Sequence, residues 1–227
     1  MKKFALALLA LAVALAIAPK AHADNYNFGT VGVTVWNGTY SSGVTDTATL
    51  ADQPTIASIA TFDYTGPLDF VNNNCDGCSN TFAEFLNGAD ITNFASSESL
   101  ADFLGSTMSS VGEVGSAINA YMEITGDIGT GTVTLASDDG SSLYLNGSNT
   151  ALISMPGPQS LASETGVVST DSSFELVYDE SNGAPAVLQM SETPEPGTLL
   201  LLGTGLLGLA LLAFRKAKSS PRLMLKM

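Results

Sequence analysis

Residues Gly131 to Gly147 read GTVTLASDDGSSLYLNG. In Thr132-Val133-Thr134-Leu135 the apolar residues fall at every second position, the period of a half-buried strand. Neighbouring side chains on a regular strand point to opposite faces. Asp138 and Asp139 therefore reach one ion only if the backbone turns sharply there. Gly140 supports such a turn, and a cis peptide bond between the two aspartates would do the same. The plainer alternative is an Asp-Gly hairpin, in which aspartate is simply a good turn residue.

Outward from this stretch, short alternating runs recur between turn signals: 31–36, 56–64, 117–126, 132–137, 142–145, 151–154, 174–178 and 186–190. Runs this short and numerous predict an all-β chain, an antiparallel β-sandwich. Residues 24–192, roughly 170 in number, suit one domain. Residues 72–105 break the pattern. Short helices are expected at 81–86 and 97–104, the second with Ser96 as N-cap and Gly105 beyond its end, so this stretch reads as a small, partly helical insertion on the sandwich. Pro185 fits a strand start or edge. Residues 193–197 read as a Pro-Glu-Pro linker. Trp36 and several tyrosines offer rings for stacking on a ligand, although aromatic residues in a sandwich also serve as core; Trp36 is the candidate ligand contact.

Charge is distributed unevenly. Lys2, Lys3, Lys20, Arg215, Lys216, Lys218, Arg222 and Lys226 are all eight basic residues, whereas all 22 acids lie between Asp24 and Glu195. The one histidine is His22. Residues 24–197 thus carry 22 acids and no Lys, Arg or His, a side-chain charge of 0 − 22 = −22, which the whole-chain value of −14 conceals. Nucleic acid is excluded as a partner, because binding it requires basic groups to displace counterions. Anionic lipid headgroups are excluded on the same ground. Histidine-based acid–base chemistry, Ser-His-Asp triads and histidine zinc sites are ruled out as well. Carboxylate chemistry and divalent-cation binding through oxygen ligands remain. So large an excess repels itself, and cations in the medium should stabilise the fold.

The ends have a different character. Met1-Lys2-Lys3 precedes an apolar run to Ala18, then Pro19 and Ala21-His22-Ala23. These are the parts of a secretory signal peptide, 1–23, with cleavage expected between Ala23 and Asp24. At the other end, 198–214 is apolar apart from glycine and threonine, about 25 Å of helix and just enough to cross a bilayer. The basic tail 215–227 follows and is expected to stay in the cytoplasm, leaving residues 24–197 outside.

Pro194-Glu195-Pro196, the apolar span and the basic cluster, in that order, resemble the PEP-CTERM sorting signal of Gram-negative bacteria. The resemblance implies an exosortase as partner, transient anchoring in the inner membrane through the C-terminal helix, cutting near Pro-Glu-Pro and a final place at the cell surface or outside. It also implies association with exopolysaccharide and biofilm.

A second resemblance covers 131–147, Gly-x-x-x-Leu-x-Ser-Asp-Asp-Gly-Ser-x-Leu-Tyr-Leu-x-Gly, which is similar to the centre of the protective-antigen-type domain, a β-sandwich of glycan-binding proteins. Residues 31–40, 117–128 and 174–188 agree with it in order. In lectin members, adjacent aspartates bind one Ca²⁺ and sugar hydroxyls complete its shell. The resemblance implies Asp138 and Asp139 as ligands, with Asp179, Glu180 or Asn182 from the later loop, of which Asn182 is preferred.

Cys75-Asp-Gly-Cys78 is the only cysteine pair. In an exported chain a local disulfide is expected, with a redox or metal role as rivals. Three functions follow in order: a non-enzymatic, exported surface or matrix protein that binds glycan through Ca²⁺; a purely structural envelope or matrix protein; and a glycosidase using two carboxylates, which no pairing of acids in the sequence favours.

Overall fold

The structure, a computed structural model, describes residues 27–72, 80–86, 90–111, 117–181, 183–194 and a few helical positions between 203 and 210. Ala23, Asp24, Cys75, Cys78, Asn182, Glu195 and Pro196 lie outside the described residues, as do the signal peptide and the basic tail.

Two antiparallel sheets form the body. The larger has seven strands in the order β10 (Ile153–Met155), β9 (Gly140–Leu145), β12 (Ser172–Glu180), β7 (Ile118–Ile128), β1 (Asn27–Thr39), β2 (Ala60–Pro67) and β5 (Asp90–Ser96). The smaller has four, in the order β11 (Ala162–Val168), β8 (Gly131–Asp138), β13 (Ala186–Pro194) and β3 (Asp69–Asn72). A two-stranded ribbon joins β4 (Asn80–Thr81) to β6 (Thr107–Ser109). The expected antiparallel sandwich is what forms.

Alternation builds the core. Val31, Val33 and Val35 of β1, Ile124 of β7 and Leu176 of β12 pack with Val133, Leu135, Leu188 and Met190 of the smaller sheet. Their odd–even partners face outward, so Gly32 and Thr34 of β1 stand on the outer face. Burying each large aliphatic side chain contributes about 1.5–3 kcal/mol. A second, smaller core lies on that outer face, where Trp36, Tyr121, Tyr144 and Val177 are covered by Val44 and Ala48.

Within 72–105 the two expected short helices form, and a strand forms between them. β5 pairs with β2 and extends the seven-stranded sheet. Helix α1 (Phe82–Phe85) and helix α2 (Leu100–Gly105) send Phe82, Phe85 and Phe103 into the main core. The Phe82 and Phe103 rings stack at 4.5 Å, and Phe85 lies flat on Tyr178 at 5.3 Å. Thr81 and Glu84 cap α1 with a capping box. The N-cap of α2 is Ser99 rather than Ser96, because Ser99 Oγ accepts from the Asp102 N–H at 3.2 Å, and Gly105 belongs to the helix.

The linker also begins later than expected. β13 pairs with β8 through Thr193↔Thr132 and Pro194↔Gly131, so Thr193 and Pro194 belong to the sandwich. The described residues of 27–194 form one compact unit, and those between 203 and 210 belong to another. Among the described residues no helix is long and apolar enough to cross a membrane. Most of the span expected at 198–214 lies outside them.

Candidate functional site, an acid-lined crossing between the sheets

Asp138 ends β8 in the smaller sheet, and Gly140 begins β9 in the larger. The Asp-Asp-Gly stretch is therefore not a hairpin but a crossing from one sheet to the other. The Asp138–Asp139 peptide bond is cis. Ser137 Oγ and Ser141 Oγ, one on each side of the crossing, lie 2.7 Å apart and buried. Gly140 is required by space: a Cβ there would lie 2.4 Å from the Pro156 carbonyl oxygen.

A second crossing runs beside the first. β12 ends at Glu180 in the larger sheet and β13 begins at Ala186 in the smaller, with Gly183 at φ 80° between them. Pairing of Asp179 with Gly140 and of Val187 with Asp138 brings the two crossings together at one end of the sandwich.

Polar bonds lock this end. Asp139 Oδ2 accepts from the Ser181 N–H and from Ser181 Oγ, each at 3.0 Å, and its Oδ1 accepts from the Gln159 N–H at 3.3 Å. The Tyr178 hydroxyl lies 2.6 Å from the Asp138 carbonyl oxygen and 2.8 Å from Glu180 Oε2. Ser109 Oγ donates to Glu180 Oε1 at 3.1 Å. A protonated Glu180 can itself donate to Tyr178, freeing the hydroxyl proton for the Asp138 carbonyl.

The electrostatics are one-sided. Asp179 and Glu180 are fully buried and Asp139 nearly so. Burial first, then the charges of Asp139, Glu180 and Asp46, holds the Asp179 carboxyl well above the ordinary aspartate range. Glu180 is pushed up to about 9, by burial and then by Asp139, against the hydrogen bonds from Tyr178 and Ser109. Both Asp179 carboxylate oxygens are buried without a hydrogen-bond partner among the described residues. A buried carboxylate in that position costs several kcal/mol unless it is protonated or meets a cation.

Of the residues read as metal ligands, Asp138 and Asp139 sit at this crossing, while Asn182 is outside the described residues. Among the described residues no group of three or more His, Cys, Asp or Glu converges closely enough to hold a metal ion as it stands. The orphaned Asp179 carboxylate nevertheless fits the chemistry of a hard cation, which takes oxygen ligands. Trp36 lies elsewhere. It is buried in the smaller core, gives its indole N–H to the Ile56 carbonyl at 3.1 Å and meets Tyr121 edge-on at 5.6 Å. Its ring therefore packs as core rather than as an open platform. Sequence reading missed Ser181, Gln159 and Asp46, and weighed Tyr178 only as a ring for stacking, whereas its hydroxyl is what reaches the site. Only the adjacent acids Asp179-Glu180, rare inside a strand that ends buried, signalled this part of the site.

Comparison with curated proteins gave no match. The structure is similar to the PA14 domain of the MpAFP antifreeze protein, at 17% identity over 75% of this chain and 84% of that one, TM-score 0.47. It is also similar to a PA14 sugar-binding domain from an RTX adhesin, at 18% identity over 74% and 99%, TM-score 0.46. Residues 192–216 match the PEP-CTERM protein-sorting motif, so the chain joins an antiparallel β-sandwich to a PEP-CTERM sorting signal.

Proposed function

We propose that this is a non-enzymatic protein of the cell surface or extracellular matrix, exported by a Gram-negative bacterium and processed by an exosortase, whose sandwich binds glycan through Ca²⁺. The sorting motif supports export. One observation supports the ion: the Asp179 carboxylate is buried with both oxygens unpartnered among the described residues, beside other acids and far in sequence from any base. Asp138, Asp139 and Asn182 are the ligands expected from the sequence, and Asp179 joins them as the group whose charge most needs a cation. Bound there, Ca²⁺ would supply open coordination positions for sugar hydroxyls. Ser181 and Gln159 hold the Asp139 carboxylate in place, and Tyr178 holds the Asp138 carbonyl. The mature part would run to at least Pro194, and its association with exopolysaccharide in a biofilm belongs to the same proposal.

The purely structural alternative has one observation in its favour. Asp139 already spends both oxygens on Ser181 and Gln159, as a crossing needed only for the fold would. Thermal melting in EDTA, in millimolar Ca²⁺ and in millimolar Mg²⁺ separates the two. A rise with Ca²⁺ that Mg²⁺ does not match, lost in Asp138→Ala with Asp139→Ala, is expected. A glycan screen with and without Ca²⁺ follows. An equal rise with both ions, or none, would leave the structural reading standing.

A further inference from the structure

Away from the crossings, the outer face of the seven-stranded sheet carries a groove of about 180 Å³ lined by Gly32, Thr34, Thr61, Asp63, Asn93 and Thr125. We propose that this groove is a second ligand site, and that it takes an amino sugar with a free ammonium group, one residue of a cationic polysaccharide. Three features of the backbone and side chains converge on it.

Gly32 makes the floor. It stands in the interior of β1, directly opposite Asp63 on one neighbouring strand and Thr125 on the other. No positive φ calls for glycine there, and an added Cβ would meet only the Thr125 hydroxyl, at 3.1 Å. What the missing side chain does is leave the sheet open between Asp63 and Thr125, two strand spacings or about 10 Å apart. Glycine inside a strand often marks such a close approach.

Asn93 makes one wall. Between Thr61↔Ala95 and Asp63↔Thr92, one residue of β2 faces two of β5, which is a β-bulge. Asn93 is the added residue, held at φ 50° in the left-handed region that non-glycine residues seldom adopt. Bulges re-aim side chains beside sites, and this one turns the Asn93 amide onto Asp63, where Nδ2 donates to Oδ2 at 2.6 Å. The half-buried carboxylate is thereby oriented, with Oδ1 left for a ligand.

The ligand class follows from the charge. Residues 24–197 hold no Lys, Arg or His, so no side chain of the domain can supply a cation to Asp63. A ligand that brings an ammonium answers Asp63, while its hydroxyls meet Thr34, Thr61 and Thr125. Anionic sugars are repelled by the same surface. Phe62, the one aromatic residue lining the groove, is buried beneath it, so recognition here is polar rather than by ring stacking.

The test is calorimetric titration of the full chain, solubilised in neutral detergent at pH 6 with EDTA present. The probes are glucosamine oligosaccharides and their N-acetylated counterparts of equal length. Binding of the free-amine oligomers is expected, weakened about tenfold or more by N-acetylation, by Asp63→Asn and by Gly32→Val, as loss of a charge partner or of the space should do. Asn93→Gly keeps the bulge, because glycine accepts that φ, and should weaken binding by releasing Asp63. No binding by the unaltered chain, or binding that Gly32→Val and Asp63→Asn leave unchanged, overturns the proposal, the second pattern marking general charge attraction. Binding that appears only when Ca²⁺ replaces EDTA assigns the sugar to the acid-lined crossing and also overturns it. The groove and the crossing can thus fail separately.

Discussion

The aromatic flank around Phe85 and the acid-lined end around Asp179 both touch one short run of β12, yet they hold together by opposite means. On the flank, the Phe85 ring lies on Tyr178, and Phe82 stacks on Phe103. The rings in contact there are buried, so their contribution scales with area and is indifferent to pH and ions. At the acid-lined end the same tyrosine's hydroxyl reaches Glu180 and the Asp138 carbonyl. There the surroundings are carboxylates without a base, and stability depends on which of them carry protons or meet a cation. A strand can therefore be anchored on one side and conditional on the other within three residues.

The largest effect should come from the flank. Phe85→Ala is expected to cost about 3–5 kcal/mol through the cavity it leaves. Chemical denaturation should show the same loss in EDTA and in Ca²⁺, and at pH 5 as at pH 8. A loss that Ca²⁺ repairs would show that the two neighbourhoods are one.

The next effect belongs to the acids. A carboxyl whose folded value lies above its unfolded one binds more protons when folded, so stability is greatest at low pH and falls as pH rises. For Glu180 the window runs from the ordinary value of 4.5 to about 9. Without divalent ions, melting should accordingly fall between pH 5 and pH 8. General self-repulsion of the acidic surface acts in the same direction, so Glu180→Gln is the sharper test. It keeps the shape while removing the charge, and should raise stability at pH 8 by about 1–2 kcal/mol with little effect at pH 5. An equal gain at both pH values would break the assignment.

The smallest effect is expected from Ser181→Ala. The Ser181 N–H still reaches Asp139, and only the hydroxyl bond is lost, about 1 kcal/mol in denaturant unfolding. A much larger loss would mean that the hydroxyl, not the backbone, holds the second crossing to the first.

Much of the sandwich was legible because its central strands alternate cleanly, as in Val31, Val33 and Val35 or Val133 and Leu135. β5 was not. Its inward residues Ile91 and Phe94 are three apart rather than two, since the bulge at Asn93 adds a residue, and that spacing imitates a helix or loop. β11 escaped for another reason: as an edge strand it exposes Ser163, Glu164, Thr165 and Val167 and shows little apolar period. At the site, Asp138 and Asp139 were legible as a sharp turn. That the turn crosses between sheets was not, because nothing local distinguishes a crossing from a hairpin. Asp179 and Glu180 were weighed as loop ligands. Their burial depends on strands far away in sequence, which pair Asp179 with Tyr121 and Gly140.

The pairing of β13 through Pro194 has a consequence for the order of assembly. In their sheet β8 and β3 are not hydrogen-bonded to each other; each pairs with β13, which lies between them. Because β13 runs straight into the sorting motif at 192–216, the smaller sheet remains in two unconnected pieces until nearly all of the domain has emerged. The strand that completes the smaller sheet is thus the one whose last residues already belong to the sorting motif.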